Sequence, residues 1–420
     1  MIKKRMIIIV GILVLLISVE SASTKPWTII DAVQNAISNH PQALIAESLV
    51  DEARGERRNA IALPAPFLAT RWDDIPSQEG LSDFAERRIC IEQDFEFPLR
   101  YIWLKKAADV NIDLARNESL GVLLDLESEV RLTYLEAWAS SEKVKVNKEY
   151  RDSIKTCWSN IQVVYEHGGI SRLDVRKSRV EAARAENELR ASQRSRTTAF
   201  EKLSRITDYD LTDIELISPL VSDPVDTTRI VESNLFASSP EVLAAQAEVG
   251  ISGYEKTLAS TAWLPEIELT YFHRQEMLPD DTDSWAFQLE LSLPVWFWLG
   301  GASEVQTSKA QLNRAKAELE TYRIELISEC LQLTQELKSV YEQYKFYQGE
   351  LLPLARDEYQ TVHRSFQLGD GTYIDLIDAQ DDLRDTQQDN IDIILELYEK
   401  KIFLDRLSGK SIGNGISKSG

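Results

Sequence analysis

The stretch from Tyr359 to Asp382, YQTVHRSFQLGDGTYIDLIDAQDD, decides the fold that this chain of 420 residues is expected to adopt. At its centre, the segment LGDGT ends one helix and begins another. Gly369 and Gly371 supply the backbone freedom that terminates a helix, and the hydroxyl of Thr372 can accept hydrogen bonds from the unpaired N–H groups of the next one. The stretch therefore predicts a helix, a tight turn and a returning helix.

The same pattern occurs in the first half of the chain. There YEHGGISRLDV at residues 165–175 aligns with FQLGDGTYIDL at residues 366–376. Aromatic, glycine, hydroxyl, aliphatic and aspartate positions coincide in the two segments. A single glycine turn is weak evidence, but a turn that recurs with its flanking residues indicates a duplicated unit.

The N-terminus has the pattern of a secretory signal peptide, which predicts that the mature protein lies beyond the inner membrane. The basic segment KKR at residues 3–5 is followed by an apolar run from Met6 to Ile17. This run is too short to span a bilayer as a mature helix. Small residues follow it and we expect cleavage near Ala22, so residues 1–22 are predicted to be the signal peptide.

Composition and motifs argue against nucleic-acid binding and against catalysis. The net charge of -21 would repel phosphate backbones, although an acidic chain can also simply be a soluble one. The three cysteines are widely spaced without a CxxC motif, so neither a disulfide framework nor a zinc site is indicated. HExxH, GxSxG and P-loop motifs are absent from the sequence, and its four histidines are scattered. We expect no enzymatic activity, no cofactor and no bound metal, and we interpret charged pairs such as Glu127/Arg131 and Asp381/Asp382 as solvated helix faces.

Each half of the chain contains two segments that alternate apolar and polar residues, the pattern of β-strands with one apolar face. The segments are about nine to eleven residues long, the span of a tilted membrane strand. They predict strand hairpins at about residues 66–98 and 265–294, with polar loops at residues 73–86 and 275–284. The apolar positions include Leu68, Ile89, Ile91, Ile267, Leu269, Tyr271, Trp285, Phe287, Leu289 and Leu291.

A single alternating strand is more typical of a soluble sheet, but four such strands in an exported chain favour the membrane. Four strands cannot close on themselves, since the smallest membrane barrels need about eight. Open sheet edges do not occur in lipid, so several copies must share one barrel. A dimer would give about eight strands and a trimer about twelve, and the wider barrel favours conduction. The alternative is a periplasmic coiled-coil scaffold without a pore, whose hairpins pack on soluble partners.

Long helices account for the rest of the sequence. Apolar residues from Leu312 to Leu354 recur at an average step of about 3.5, the coiled-coil period. The segment from Gly301 to Gly369 would form a rod near 100 Å long at about 1.5 Å per residue, with a kink at Pro353. Residues 101–166 are its counterpart in the first half. The predicted organisation is a first repeat at residues 23–206, a linker at 207–226, a second repeat at 227–408 and a flexible tail at 409–420.

These features together resemble the TolC-like outer-membrane efflux proteins over nearly all of the mature sequence. The resemblance rests on the duplicated half, the strand hairpins ending at Pro98 and Pro294, the segment LLPLA at residues 351–355 and the segment from Gly369 to Asp382. It implies a mostly α-helical fold, in which three copies form a coiled-coil tunnel and a shared 12-stranded β-barrel in the outer membrane. It also implies a periplasmic adaptor protein and an inner-membrane pump of the RND, ABC or MFS type as partners.

The resemblance further implies roles for residues at the two turns. The family's helix tips meet the adaptor at glycine turns, which here correspond to Gly168, Gly169, Ser171, Gly369, Gly371 and Thr372. Its tunnel aperture is lined by aspartates, which here correspond to Asp375 and Asp378, with Asp174 at the equivalent place after the first turn. Asp370 and Arg172 depart from the family pattern.

Two interpretations of these aspartates remain open. Asp375 and Asp378 lie about one turn apart on a helix, so three copies could form two carboxylate rings that attract cations. They could instead be solvated residues favoured by the positive end of the helix dipole.

The resemblance implies an exported substrate and leaves its class open among drugs, metal ions and proteins, since all three use this architecture. Acidic strand residues Glu92, Asp94, Glu96 and Glu290 would suit cations. Met277 is the only methionine after the signal, so the sequence shows no methionine-based route for soft copper or silver ions.

Overall fold

A computed structural model describes residues 26–73, 75, 85–167, 171–211, 214–218, 232–276, 283–295 and 297–412. The predicted signal peptide, the glycines Gly168 and Gly169, and most of the predicted linker, hairpin loops and C-terminal tail lie outside these residues. Within the described part of the chain, no helix is long and apolar enough to cross a membrane.

The two halves of the chain share one order of elements, as the repeated turns predict. Each half has two helices, two strands, a long helical segment that leads away from the strands and a helix that returns after the turn. The first half contains α1 (Ile29–Asn39), α2 (Pro41–Ala60), β1 (Phe67–Asp73), β2 (Glu86–Phe95), α3 (Pro98–Glu166) and α4 (Arg172–Thr207). The second contains α5 (Glu232–Ser238), α6 (Pro240–Ser260), β3 (Glu266–Glu276), β4 (Asp283–Ser292), α7 (Phe297–Phe346), a π-helical turn (Tyr347–Leu351), α8 (Leu352–Leu368) and α9 (Tyr373–Leu407).

The strands form one antiparallel sheet in the order β1-β2-β3-β4 among the described residues. Its register places apolar residues opposite one another, so that Leu68, Ile91, Tyr271 and Phe287 form one exposed row across all the strands. On the other face, Asp94, Glu268 and Glu290 form a carboxylate row. One face of the sheet is thus apolar and the other polar, as the alternation predicts.

The long helical segment that leads from the sheet to the turn differs between the two repeats. In the first, α3 runs for 69 residues without interruption. In the second, the π-helical turn of five residues lies immediately before Pro353. Proline has no N–H and its ring crowds the carbonyl group four residues earlier, here that of Gly349, and a widened turn accommodates this conflict. The helix thus changes type close to Pro353, where the sequence predicts a kink.

The core that joins the middle of α3 to the C-terminal end of α4 is a cluster that we call the belt. Its buried residues include Trp27, Val33, Leu126, Val130, Tyr134, Trp138, Phe200 and Leu203. The Tyr134 hydroxyl lies 2.7 Å from the carbonyl oxygen of Trp27 and 3.0 Å from that of Ile217. Burial raises the pKa of this phenol to about 12, so the group stays neutral and donates a hydrogen bond to the backbone.

A buried charge cluster closes the belt against the C-terminal segment. Glu127 and Arg131 are 1% and 5% exposed. Arg131 lies 2.9 Å from Asp405 and 3.5 Å from Glu127. Glu127 in turn accepts hydrogen bonds from the Ser411 hydroxyl at 2.5 Å and the Ile412 N–H at 2.9 Å. The interpretation of Glu127/Arg131 as a solvated helix face is therefore wrong, because both side chains are buried and contact Asp405, Ser411 and Ile412 from the far end of the chain.

Candidate functional site at the helix tips

The turn between α8 and α9 is built around Gly369, which has φ 85°. Glycine adopts this left-handed conformation without the penalty that other residues incur. The N–H groups of Asp370 and Gly371 donate to the Ser365 carbonyl oxygen at 3.0 and 3.2 Å, which closes the end of α8. At Gly371 a Cβ atom would lie 3.0 Å from the Phe366 nitrogen. Both glycines of the predicted turn therefore have a steric reason to be there.

Thr372 begins α9 with a complete capping box. Its hydroxyl accepts from the Asp375 N–H at 3.2 Å and donates to the Asp375 carboxylate at 2.6 Å, and its own N–H donates to that carboxylate at 3.3 Å. Ser171 caps α4 in the same way, with Asp174 at 3.2 Å through the N–H and 2.6 Å through the carboxylate. The structure records the complete box at the second turn and the side-chain half of it at the first.

The sequence-predicted aspartates therefore differ in what their carboxylates do. Asp375 and Asp174 use theirs to cap a helix. Asp378 is exposed, and among the described residues it has no hydrogen bond or ion pair. Asp375 and Asp378 are both exposed near the start of α9, and they differ in that only Asp375 takes part in a capping box.

Sequence reasoning missed a set of polar contacts that hold α9 against α3 and α4 near the tip. The Tyr150 hydroxyl donates to Asp381 at 2.5 Å. Arg384 lies 2.9 Å from Glu188 and 3.5 Å from Asp381, and its guanidinium stacks 4.4 Å from the centre of the Tyr150 ring. Burial and the hydrogen bond to Asp381 raise the pKa of Tyr150 far above its ordinary value. We call Tyr150, Asp381, Arg384 and Glu188 the clasp.

The contacts continue along the same seam on both sides of the clasp. Gln380 donates to the Ser153 hydroxyl at 2.6 Å, Gln388 to Asn147 at 3.0 Å, and Lys143 to Asp392 at 2.8 Å. Of the pair interpreted as a solvated face, Asp382 is exposed, whereas Asp381 is only partly solvated because Tyr150 of α3 and Arg384 of α9 contact it. No local spacing could have revealed this, since Tyr150 and Asp381 are 231 residues apart.

A cavity of about 1130 Å³ lies at the tip between the two helix hairpins. Residues of α3, the start of α4, the end of α8 and the start of α9 line it. It lies beside the buried cluster of Tyr150, Ile154, Cys157, Ile161, Tyr373, Leu376 and Ile377. The two turns, the clasp, this cluster and the cavity together form the region that we call the tip.

Comparison with known proteins identifies what the fold and the tip are similar to. Residues 231–410 match a family model described as outer membrane efflux protein. The chain is 21% identical over 386 residues to the cobalt-zinc-cadmium resistance protein CzcC of Cupriavidus metallidurans, covering 92% of this chain and 90% of that protein.

Solved structures share the whole fold at low sequence identity. The CmeC outer membrane channel of Campylobacter jejuni has a TM-score of 0.76 at 14% identity, covering 93% of this chain and 88% of that one. The open state of the MtrE outer membrane channel of Neisseria gonorrhoeae has a TM-score of 0.75 at 14% identity, covering 92% and 89%. The comparisons confirm the predicted fold class, the resemblance to the TolC-like family, the outer-membrane location with extension into the periplasm, and a role in transport rather than catalysis.

Proposed function

We propose that this chain, a TolC-like outer-membrane efflux protein by sequence match and fold, is the passive exit duct of a tripartite export system. Its broader role as an outer-membrane exit duct follows from the comparisons. The further steps are that three copies form the duct, that a periplasmic adaptor and an inner-membrane pump deliver the substrate, and that the tip is the gate.

The main observation that supports a duct is the exposed apolar face of the sheet. The row Leu68, Ile91, Tyr271 and Phe287 faces away from the carboxylate row, and β1 and β4 each pair on one side only among the described residues. In lipid these free edges need partners, and sister copies supply them. Three copies of the four-stranded sheet give about twelve strands, which leaves an interior wide enough for a channel.

Two adjacent residues of β2 provide a direct test of this assignment. Ile91→Arg places a charge on the apolar face, where it costs roughly 2–4 kcal/mol at the membrane centre, while Glu92→Arg places the same charge on the opposite face. We expect Ile91→Arg to reduce the outer-membrane trimer sharply in crosslinking and fractionation, and Glu92→Arg to leave it in place. A wild-type chain released as a monomer by osmotic shock would support the periplasmic scaffold instead.

The gate is proposed at the tip because the clasp that holds α9 against α3 and α4 there consists of polar contacts whose acidic partners are partly exposed. The adaptor would meet the two turns, at Gly168, Gly169, Ser171, Gly369, Gly371 and Thr372. Asp378, with Asp375 and Asp174 beside the caps, would line the aperture. Opening would part α9 from α3 and α4 at the clasp.

Divalent metal cations are the substrate class that we propose. The relative CzcC is named for cobalt, zinc and cadmium resistance, and the carboxylate row of Asp94, Glu268 and Glu290 on the polar face of the sheet would favour cations. Deleting the gene should lower the tolerated concentration of zinc, cobalt or cadmium salts and leave tolerance of neutral antibiotics unchanged. The reverse pattern would assign the duct to a drug pump.

A further inference from the structure

Helix α4 has a long exposed face on the side away from α3. The buried residues Ala185, Leu189 and Leu203 lie on one side of this helix, which packs mainly on α3 and α1. On the opposite side, every third or fourth position from Leu173 to Arg194 is exposed. Alternating steps of three and four are the pattern by which one helix packs along another. The exposed side, which we call the α4 face, therefore fits a further helix.

A second exposed face runs along the π-helical turn and α8. It follows the same spacing through Phe346, Glu350, Leu354, Asp357 and Leu368. Leu354 and Leu368 are 63% and 73% exposed, although leucine is among the residues most often buried. Because α8 packs on α9 from its other side, this α8 face is also open to a further helix.

The two faces lie at opposite edges of one helical layer. α3 packs on α4 and α9, and α9 packs on α8, so the order across the layer is α4-α3-α9-α8. The α8 edge continues the β4 edge of the sheet, since β4 leads into α7 and the π-helical turn joins α7 to α8. Two different edges that fit each other let copies of one chain pack side by side around a closed ring.

The charges on the two faces are complementary. α4 contains ten basic and five acidic residues in a chain whose net charge is -21. The half of the α8 face that is farther from the turn carries the carboxylates Glu350 and Asp357. A positive face opposite a negative one favours a single partner and a single register.

Contacts within the chain give the register of the two faces. Arg151 of α3 lies 3.1 Å from Glu186 of α4, and the Ser153 hydroxyl of α3 lies 3.2 Å from the Tyr359 hydroxyl of α8. Glu186 and Tyr359 are therefore at about the same distance from the turns. Arg194 lies eight residues beyond Glu186, and Glu350 lies nine residues beyond Tyr359. At about 1.5 Å per residue, Arg194 and Glu350 lie at the same level.

We propose that the α4 face of one copy packs on the α8 face of the next, and that Arg194 and Glu350 form an ion pair across this interface. Rotation about the axis of a threefold duct keeps residues at their level, so the two side chains meet. Within the described part of the chain, neither side chain has a hydrogen bond or an ion pair. The inference rests on the proposed trimer, to which it adds the helices and residues that join the copies.

Cysteine crosslinking of the full-length protein in outer membranes tests this interface. Arg194→Cys combined with Glu350→Cys, after oxidation with copper phenanthroline, should give a disulfide-linked trimer on a non-reducing denaturing gel. The matched control combines Gln193→Cys with Glu350→Cys, because position 193 is exposed on another side of α4, and it should stay monomeric on that gel. The wild type and each single variant control for the three native cysteines.

A charge exchange gives a second readout that separates the interface from folding. Glu350→Arg places two arginines opposite each other in each interface, so we expect the purified trimer in detergent to dissociate at about tenfold higher protein concentration. Adding Arg194→Glu restores opposite charges and should return the trimer to wild-type stability, which a general folding defect would not allow.

The proposal is overturned if the double-cysteine variant gives no linked trimer while chemical crosslinking shows that the wild type is trimeric. The duct would then stand with a different interface. It is also overturned if the disulfide forms within one chain, or if a maleimide dye labels both positions in the trimer, since the two faces would then be open to another protein. A monomeric wild type would overturn this interface and the proposed duct together.

Discussion

The belt and the tip lie at different positions along the same long helices, and their charged contacts differ in burial. In the belt, Tyr134 satisfies its hydroxyl with backbone oxygens and Glu127 with Arg131 forms a buried ion pair. Buried polar atoms without a hydrogen-bond partner among the described residues occur in both regions, at Trp138 in the belt and at Tyr373 at the tip. The clasp partners Asp381 and Glu188 have side chains that are 36% and 45% exposed.

This difference indicates which region is fixed and which can move. A buried charge cannot lose its partner without a large penalty, so the belt keeps one arrangement. Contacts of partly exposed charges can be exchanged for water at little cost. This distribution of contacts fits the proposed duct, in which the belt stays in place while the tip opens.

The largest effect on stability is expected in the belt, from Glu127→Ala. The substitution leaves Arg131 buried with one carboxylate fewer and removes the acceptor of Ser411 and Ile412, so we expect a loss of roughly 3–5 kcal/mol of unfolding free energy. Chemical denaturation followed by circular dichroism measures it. Lys202→Ala, which removes an exposed pair with Glu136, is the control and should cost less than about 1 kcal/mol. Equal losses in the two variants would remove the contrast between belt and surface.

Arg384→Ala should have a smaller effect on stability and a larger one on conduction. It removes the clasp contacts to Glu188 and Asp381, and partly exposed ion pairs of this kind contribute about 1 kcal/mol or less. We expect a several-fold higher single-channel conductance in planar bilayers because the closed tip is weakened. Arg190→Ala, which removes an ion pair within α4 alone, should leave conductance unchanged. A wild-type conductance for Arg384→Ala would show that the clasp does not hold the gate.

Substituting Asp378 and Asp375 together and one at a time tests whether these residues line the aperture. The double substitution Asp375→Ala with Asp378→Ala should raise conductance and weaken block by divalent cations. Because Asp375 caps α9, Asp378→Ala alone should reproduce most of the weaker block without loss of stability. Asp375→Ala alone should cost about 1 kcal/mol as well, the value of a helix cap. If cation block is the same in all three variants and the wild type, these residues do not line the aperture.

The smallest expected difference is between the two helix caps. Thr372→Ala removes a complete capping box and Ser171→Ala the side-chain half of one. Each should cost about 1 kcal/mol or less of local stability, with the larger loss at Thr372. Hydrogen exchange of the first-turn amides of α9 and α4 measures the two losses separately. A larger loss at Ser171 would mean that the first turn has contacts beyond its cap.

The accuracy of the sequence interpretation varied with the range of the interactions involved. Strand alternation correctly assigned the faces of the sheet, and the glycine and threonine pattern correctly located the turn at Gly369. The interpretation of Glu127/Arg131 as solvated was wrong, because spacing along one helix identifies a face but does not reveal what packs on it. The π-helical turn before Pro353 was predicted only as a kink, since the sequence shows the lost hydrogen bond and leaves open how the helix accommodates it.

The sequence by itself determined the duplicated order of elements, the apolar face of the sheet and the chemistry of the tip turns. Each of these depends on residues within a few positions of one another, whose periodicity and conformational preferences act locally. Only the tertiary structure decided which charges are buried, which residues form the clasp and where the tip leaves a cavity. Those features join residues such as Arg131 and Asp405, 274 positions apart, and contacts at that separation form only when the two repeats pack together.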